Sequence, residues 1–291
     1  MRKHVLAADV VHADDTPLPV LAPGNGKTKT GRLWTYVRDE RPSGGTTAPA
    51  VWFEYTPDRK GEHPQRRLAD FGGVLQADAY GGFSKLYERG AVHEAACWAH
   101  VRRKFVDLEK LHQSASATEA LERIGALYAI EAEIRGRSPD ERRAVRQVKS
   151  APLLSQIKLR FERTLPALSQ KSDLAKAIRY ALTRWGALIR YCDDGHIEID
   201  NNSAERALRC AALGRKNFLF AGSDAGGERA AAIYSLIGTA KLNGINPEAF
   251  LTEALRLIGD HPITRIQELL PWNLQFPQIA SSNAALQTTS P

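Results

Sequence analysis

The sequence predicts an α/β protein in which a mixed sheet is interrupted by an all-helical insertion. Short runs of strand-type residues, separated by turns, fill the first hundred positions. The strand signal then disappears from about Asp107 to Asp194, where apolar residues recur at helical spacing. Beyond this block a helix with strong N-cap residues begins near Asp200, and further helices are predicted to run to Ile258.

Three strands are predicted at the front of the chain. The first strand is formed by residues 5–7 and 10–14, which are apolar and β-branched. We expect Asp15, Thr16 and Pro17 to stop its pairing. Residues 31–37 and 50–55 are strand-like as well. Because the connections between these runs are rich in turn residues, the three strands are predicted to form an antiparallel meander.

The next forty residues alternate between helix and strand. Residues 60–71 have a possible helical face, and residues 73–78 form a buried strand that ends on a carboxylate. A short helix over residues 84–88 and a strand near residues 94–98 complete a β-β-β-α-β-α-β order. Residues 100–105 follow directly and are predicted to begin a helix.

The second half is predicted to be helical. Its signals are capping boxes at 116–119 and 138–141, an amphipathic helix over 173–192, helices over 228–242 and 246–258, and a flexible loop over 222–227. From Ser281 onward the tail is polar and is expected to be disordered. The predicted parts are residues 1–106 (core, first part), 107–195 (helical insertion), 196–258 (core, second part, with C-terminal helices) and 259–291 (C-terminal extension).

Composition limits the classes of function. The 291 residues are 43% hydrophobic and 25% charged, which is typical of a globular protein. A formal charge of +7 favours a polyanionic partner, nucleic acid first. We find no run of 18 apolar residues and no secretory segment, so neither membrane insertion nor export is indicated. The three cysteines are widely spaced, as in reduced cytoplasmic proteins.

Three carboxylates stand at informative places in the predicted elements. Asp14 ends the first strand, Asp78 ends the fourth, and Glu205 lies in the first turns of the helix after the insertion. In a ribonuclease-H-like sheet the first and fourth strands are neighbours, and a later helix packs across the same edge. Such carboxylates would suit two Mg²⁺ or Mn²⁺ ions for phosphodiester chemistry. Each acid alone is equally typical of a turn.

Basic residues accompany these acids. Around Glu205, the pattern fits either a capped surface helix with an i,i+4 Glu–Arg pair or a carboxylate framed by guanidinium groups that hold phosphate. The cluster after the fifth strand is either a solvated helix face or a DNA-backbone contact. The candidate DNA-binding residues are Arg102, Arg103, Lys104, Arg206, Arg209, Arg215 and Lys216.

Two other features have ordinary explanations. Cys97 and His100 have a spacing that could start a zinc site, but no second pair is obvious, so a buried thiol beside a phosphate-facing histidine is favoured. Trp34, Trp52 and Trp98 lie in strand-like runs and are predicted to be core residues. Trp185 lies on the apolar stripe of a helix, where a core position is favoured over stacking on a flipped base.

Several segments together resemble the transposases of the insertion sequence 66 family, from about residue 10 to 272. They are residues 12–17 (HADDTP), 77–83 (ADAYGGF), 97–105 (CWAHVRRKF), 200–206 (DNNSAER), 215–220 (RKNFLF) and 239–247 (TAKLNGINP). The resemblance implies a DDE-type catalytic core, with Asp14, Asp78 and Glu205 as the metal-binding acids. Asp15 departs from the family, which more often has Glu there, so Asp14 is chosen as the ligand by alignment.

The resemblance implies Mg²⁺- or Mn²⁺-dependent cleavage and strand transfer at the ends of an insertion sequence. It implies DNA ends and target DNA as partners, a homo-oligomer on DNA, possible accessory proteins, and a bacterial cytoplasmic location, nucleoid-associated when bound. Such transposases usually have a longer N-terminal region with a zinc module, so a truncated core is expected. The alternatives are a nuclease or resolvase that does not join strands, and an inactive DNA-binding remnant.

Overall fold

The computed structural model describes residues 1–275, apart from the side chain of residue 112. Its sheet is mixed and five-stranded. The strands are β1 (Val10–Val20), β2 (Lys29–Arg38), β3 (Ala50–Thr56), β4 (Val74–Ala77) and β5 (His93–Ala95). Their spatial order is β3-β2-β1-β4-β5, with β1 antiparallel to β2, β2 antiparallel to β3, and both β1–β4 and β4–β5 parallel. The predicted α/β class, mixed sheet and antiparallel meander are therefore confirmed.

Helices make up most of the remaining described chain. The α-helices are α1 (Arg2–Val5), α2 (Glu62–Arg67), α3 (Ser84–Glu88), α4 (Trp98–His112), α5 (Ala115–Ile134), α6 (Pro139–Val145), α7 (Ala151–Thr164), α8 (Asp173–Thr183), α9 (Trp185–Ile189), α10 (Asn202–Gly214), α11 (Asp224–Leu242) and α12 (Pro247–Ile258). Within residues 107–194 the structure has no strand, as the sequence predicts. The predicted capping box at Ser138 is present, with Pro139 in the first turn.

The first strand is longer than predicted. It continues through Pro17 and Pro19 to Val20, paired with β2 along its length, so Asp14 lies inside the strand and does not end it. The carbonyl of Pro19 points away from β2 and accepts a hydrogen bond from the Ala221 N–H, 2.8 Å away. Pro17, two residues before, has the same orientation. Both prolines therefore turn their missing N–H towards the open edge, where no bond to β2 is lost.

Two other boundaries at the front were predicted wrongly. Residues 5–7 are not a strand, because Val5 ends helix α1 and is fully buried against the sheet. The strand predicted near residues 94–98 is β5, which ends at Ala95, and Trp98 already begins α4. A short apolar run fits either a strand or a buried helical turn, so the sequence pattern alone does not separate them.

Three helix boundaries also differ from the prediction. The cap of α5 is Ser114, whose Oγ lies 3.4 Å from the Ala117 N, so the helix begins before the predicted box at 116–119. The helix predicted over 173–192 breaks at Arg184, where the Thr183 hydroxyl donates to carbonyls of the preceding turn. The predicted loop 222–227 is largely helical, because Ser223 caps α11 through the Gly226 N–H.

The helical block and the sheet share apolar contacts. One buried cluster continues from Val74 and Ala95 of the sheet through Trp98 to Ile157 and Ile178 of the helices. Trp34, Trp98 and Trp185 are buried, as predicted, whereas Trp52 is only partly buried. The proposed part boundaries, at 106/107, 195/196 and 258/259, stay predictions, and the tail from Ser281 lies outside the described residues. None of the helices within residues 1–275 is long and apolar enough to span a bilayer.

Candidate active site

The parallel register of β1 and β4 brings two of the predicted acids to neighbouring positions. The last pair of this ladder is Ala13 with Ala77, so Asp14 and Asp78 are the residues that directly follow it, one after each strand's last paired residue. Beyond Ala77 the chain turns away, and Asp78 Oδ1 accepts a hydrogen bond from the Tyr80 N–H at 3.1 Å. Because the two strands run in the same direction, Asp14 and Asp78 lie side by side where β4 ends.

Helix α10 covers the face of β1 on which Asp14 lies. Successive side chains of a strand point to opposite faces, so His12, Asp14 and Thr16 share one face. His12 Nδ1 lies 3.1 Å from Asn201 Oδ1 at the start of α10, and Arg215 at its end donates to the Thr16 hydroxyl. These two contacts lie on either side of Asp14, which therefore faces α10.

Asp15 lies on the other face and is already paired. Its side chain is 2% exposed and accepts hydrogen bonds from Arg59 Nη2 at 2.7 Å and from Arg59 Nε at 3.0 and 3.1 Å. Arg32 Nη1 is 3.1 Å away. Two guanidinium groups leave this carboxylate little capacity for a metal ion. Between the two adjacent aspartates, the geometry favours Asp14 as the ligand.

Asn201 fixes the start of α10 against the sheet. The sequence predicts this residue as a helix cap, but its side chain is fully buried and does not cap α10. Its Nδ2 donates to the Ala13 carbonyl at 2.8 Å, and its backbone N–H lies 3.2 Å from Cys97 Sγ. Asp200 instead accepts from the Asn202 N–H at 3.0 Å. Asn201 therefore ties α10 to both β1 and α4 beside Asp14.

Glu205 faces α4. His100 Nε2 is 3.6 Å from Glu205 Oε1 and Arg103 Nη2 is 3.5 Å from Oε2, and these are its ion-pair partners in the described chain. An i,i+4 pair with Arg209, one of the two possibilities for this helix, is therefore not formed. Glu205 Oε1 is buried and has no hydrogen-bond partner among residues 1–275. A buried carboxylate oxygen without a donor leaves room for a cation.

The charge state of Asp14 supports the same conclusion. Burial raises the pKa of the Asp14 carboxyl from 3.8 to about 7. The Asp15 N–H, 2.7 Å from Asp14 Oδ1, opposes the rise. The negative charges of Asp78, Asp15 and Glu205 add to it. A carboxylate that is costly to ionise without a counter-ion, among hard oxygen donors, fits a site for Mg²⁺ or Mn²⁺.

Substituting Asn at Asp14 should stabilise the metal-free protein at high pH. Because the folded-state pKa is above the unfolded value, the wild-type protein loses stability as pH rises from about 4 through 7. One pKa unit corresponds to about 1.4 kcal/mol, so the gain at pH 8 has an upper bound of about 4 kcal/mol. Thermal unfolding in a chelator at pH 4.5 and 8 measures it. The exposed Asp70→Asn variant should show no such pH-dependent gain, and an equal gain for Asp14→Asn at both pH values would contradict the prediction.

Cys97 and His100, whose spacing could start a zinc site, lie close to a third potential ligand, Glu205. Ligand atoms of Cys97, His100 and Glu205 all lie within 4.8 Å of one another. Burial, however, raises the pKa of the Cys97 thiol to about 12, whereas zinc is held by the thiolate. His100 faces Glu205. The arrangement supports the buried thiol predicted from the sequence, and it makes His100 a neighbour of the proposed metal site.

We call the region around Asp14, Asp78 and Glu205 the cleft. Two of the predicted DNA-binding cations lie beside residues of this cleft. Arg103 is beside Glu205 and 59% exposed, and Arg215 is beside Thr16 and partly buried. Lys104 lies 4.4 Å from the centre of the Tyr180 ring. The other four are exposed side chains without a direct contact to the three acids: Arg102, Arg206, Arg209 and Lys216.

No pattern in the sequence indicates a role for Arg59. It follows β3 in a charged turn that resembles any solvated surface. In the structure its guanidinium binds Asp15, stacks 4.2 Å from the centre of the Tyr80 ring, and lies 3.9 Å from Asp78 Oδ2. This partly exposed cation is therefore well placed to contact a phosphate at the cleft.

Comparison with known proteins identifies a family whose models match most of the chain. The model of the Transposase IS66 family matches residues 1–229, and that of the IS66 C-terminal element matches residues 235–272. Three Sinorhizobium fredii (strain NBRC 101917 / NGR234) proteins described as uncharacterized, y4hP, y4qI and y4jD, are 44%, 41% and 41% identical over 285, 281 and 280 residues. The alignments cover 92%, 94% and 94% of this chain. They cover 51%, 52% and 55% of the relatives, so the chain spans about half their length.

Proposed function

The chain belongs to the IS66 transposase family, and from this premise we propose that it cleaves DNA strands and transfers them at the ends of an insertion sequence. Asp14, Asp78 and Glu205 are the proposed catalytic acids. The observation that supports this most strongly is the convergence of the three. Asp14 and Asp78 follow the same ladder pair, and the charges of Asp78 and Glu205 both act on the Asp14 carboxyl.

The fold we propose is ribonuclease-H-like. The sheet order β3-β2-β1-β4-β5, with one antiparallel meander and two parallel strands, supports it. Helix α10 brings the third acid to the face of the central strand β1, after a helical insertion proposed to span residues 107–195. Residues 196–258 would then complete the core.

The three acids would hold two divalent cations, Mg²⁺ or Mn²⁺. When bound, such ions activate the attacking oxygen and stabilise the leaving oxygen of a phosphodiester displacement. Asp14 would be ionised in that state, because a nearby cation favours the charged form of a carboxyl group. Asn201 positions Glu205 by tying the start of α10 to β1. His100 and Arg103 limit the positions open to the Glu205 carboxylate.

The surrounding cations would hold the DNA backbone. Arg59, Arg103 and Arg215 line the cleft itself, and the exposed cations of α4 and α10 extend the positive surface. Phosphate contacts of this kind position DNA without selecting its sequence. Transposon ends and target DNA are the proposed partners. A homo-oligomer and accessory proteins are proposed for the whole protein.

Water would be the first nucleophile, and the 3′-hydroxyl that it frees would be the second. Water attacks the scissile phosphorus, and the P–O3′ bond breaks to leave a 3′-hydroxyl. The oxygen of that hydroxyl then attacks a target phosphorus and forms a new P–O bond, while the P–O3′ bond of the target breaks and its 3′-oxygen takes up a proton. No covalent enzyme intermediate forms.

A strand-joining assay tests this function. The chain is incubated with Mn²⁺ or Mg²⁺, a labelled duplex ending in a free 3′-hydroxyl, and an unlabelled supercoiled plasmid. Label covalently joined to plasmid supports the transposase. Nicked plasmid without joined label would indicate a nuclease or resolvase, and DNA binding without nicks would indicate an inactive remnant.

A further inference from the structure

Three consecutive large apolar side chains project into solvent after α10. Phe218, Leu219 and Phe220 are 72%, 74% and 45% exposed. No other run of three large exposed hydrophobic residues occurs within residues 1–275. Single exposed apolar residues are ordinary, but a contiguous group marks a binding surface. We call residues 218–220 the apolar tip.

The apolar tip is held at both ends. Before it, the Phe218 N–H donates to the Gly214 carbonyl at 2.8 Å, and Arg215 donates to the Thr16 hydroxyl. After it, the Ala221 N–H donates to the Pro19 carbonyl, and the Leu21 N–H donates to the Ala221 carbonyl, both at 2.8 Å. The exposed side chains therefore stand on a fixed backbone. This preorganisation lowers the entropy lost on binding.

The tip lies on the same edge of β1 as the proposed active site. Strand β4 covers this edge up to Ala13, and Ala221 covers it again at Val20. Asp14 is five residues before Pro19, which is about 17 Å at 3.3–3.4 Å per residue. Successive bases of B-DNA are about 3.4 Å apart, so this distance corresponds to about five base steps. Between Ala13 and Val20 this edge of β1 is therefore not covered by β4 or by Ala221. The acids lie at one end of this uncovered stretch, and the apolar tip lies at the other.

The charge of the chain between Glu205 and Asp224 favours DNA over protein as the partner of the apolar tip. From residue 206 to residue 223 the chain has four cations, Arg206, Arg209, Arg215 and Lys216, and no acid. Charged residues are depleted from the cores of protein–protein interfaces, whereas phosphates require them. A second copy of this chain is the competing occupant.

We propose that the apolar tip is a wedge that enters duplex DNA and binds the faces of unstacked bases, about five base steps from the cleaved phosphate. This deepens the proposed function and rests on it. Apolar side chains that enter base steps unstack them and kink the duplex, while neighbouring cations hold the backbone. Aromatic rings such as Phe218 stack on any base, so the wedge needs no particular sequence.

The test uses the full chain and two duplexes of about 20 base pairs. One has 2-aminopurine in place of every adenine of one strand, so that its fluorescence reports unstacking in any binding register. The other has a central mismatch, in which part of the unpairing cost is already met. The wild-type protein should raise the fluorescence and bind the mismatched duplex about tenfold more tightly than its paired equivalent. The Phe218→Ala/Leu219→Ala variant should lose both effects and still bind the paired duplex.

The control is Leu255→Ala, which removes a 70% exposed leucine from α12 and should leave both effects unchanged. Wild-type binding without a rise in fluorescence overturns the wedge but leaves the proposed function intact. If wild-type protein binds neither duplex, the wedge and the proposed function both fail. If the double variant keeps the fluorescence rise but changes from dimer to monomer in sedimentation, the tip is an interface between copies, and the DNA wedge is wrong.

Discussion

Asn in place of Asp78 is expected to lower Mg²⁺-dependent strand cleavage by about a thousandfold or more. The substitution keeps the size of the side chain and its turn contact to Tyr80, but it removes a charge that a divalent ion needs. A thousandfold loss corresponds to about 4 kcal/mol of transition-state stabilisation. Plasmid nicking in Mg²⁺ measures the loss, and circular dichroism with DNA binding shows that fold and affinity persist.

Equivalent changes at the other two acids should have similar effects. Asp14→Asn and Glu205→Gln each remove one member of a unit, so a double variant should be little worse than either single one. Asp70→Asn is the matched control, because Asp70 is exposed and outside the cleft. Asp15→Asn should lower stability by removing the negative charge that pairs with Arg32 and Arg59. Mg²⁺-dependent nicking retained by Asp78→Asn would end the metal-site hypothesis.

Glu131→Ala is expected to destabilise the fold by about 3–5 kcal/mol, because it leaves buried guanidinium charge without its partner. Arg146 is fully buried, and its Nε and Nη2 donate to Glu131 at 2.8 and 2.6 Å. Arg142, also buried, lies 3.5 Å from the same carboxylate and binds Glu198 on its other side. These contacts join the helical block to the segment that leads into α10.

The midpoint of urea unfolding measures this effect. Glu133→Ala is a matched control on the same helix, since Glu133 pairs with Lys149 and both side chains are at least half exposed. Exposed pairs of this kind contribute about 0–1 kcal/mol. Equal destabilisation by the two variants would show that Glu131 does not neutralise buried charge.

Much of the sheet could be predicted because its signals are local. Strands β2 and β3 have β-branched and aromatic residues between turn-forming segments, and short β4 is apolar between glycines and Asp78. The length of β1 could not be predicted. Whether Pro17 and Pro19 break a strand depends on which way their nitrogens face, and that is decided by the neighbouring strands.

The acids of the candidate site could be chosen from sequence, but their surroundings could not. Asp14 and Asp78 follow strand patterns, and Glu205 follows a helix start. That Glu205 faces His100 rather than Arg209 depends on how α10 packs on α4. Asn201 has the sequence position of a cap, and only the packing turns its amide towards Ala13. The catalytic roles of the acids stay predictions.

The long interval between the second and third acids affects when the proposed site can exist. Glu205 is 127 residues after Asp78 (205 minus 78). At about 5–20 residues per second, a ribosome takes about 6–25 s to add them. During that time the nascent chain has β1, β4 and two of the acids, but not the helix that Asn201 fixes against β1. A complete set of three acids therefore forms only after Glu205 has been added, so the proposed site would be incomplete in any nascent chain that has not reached α10.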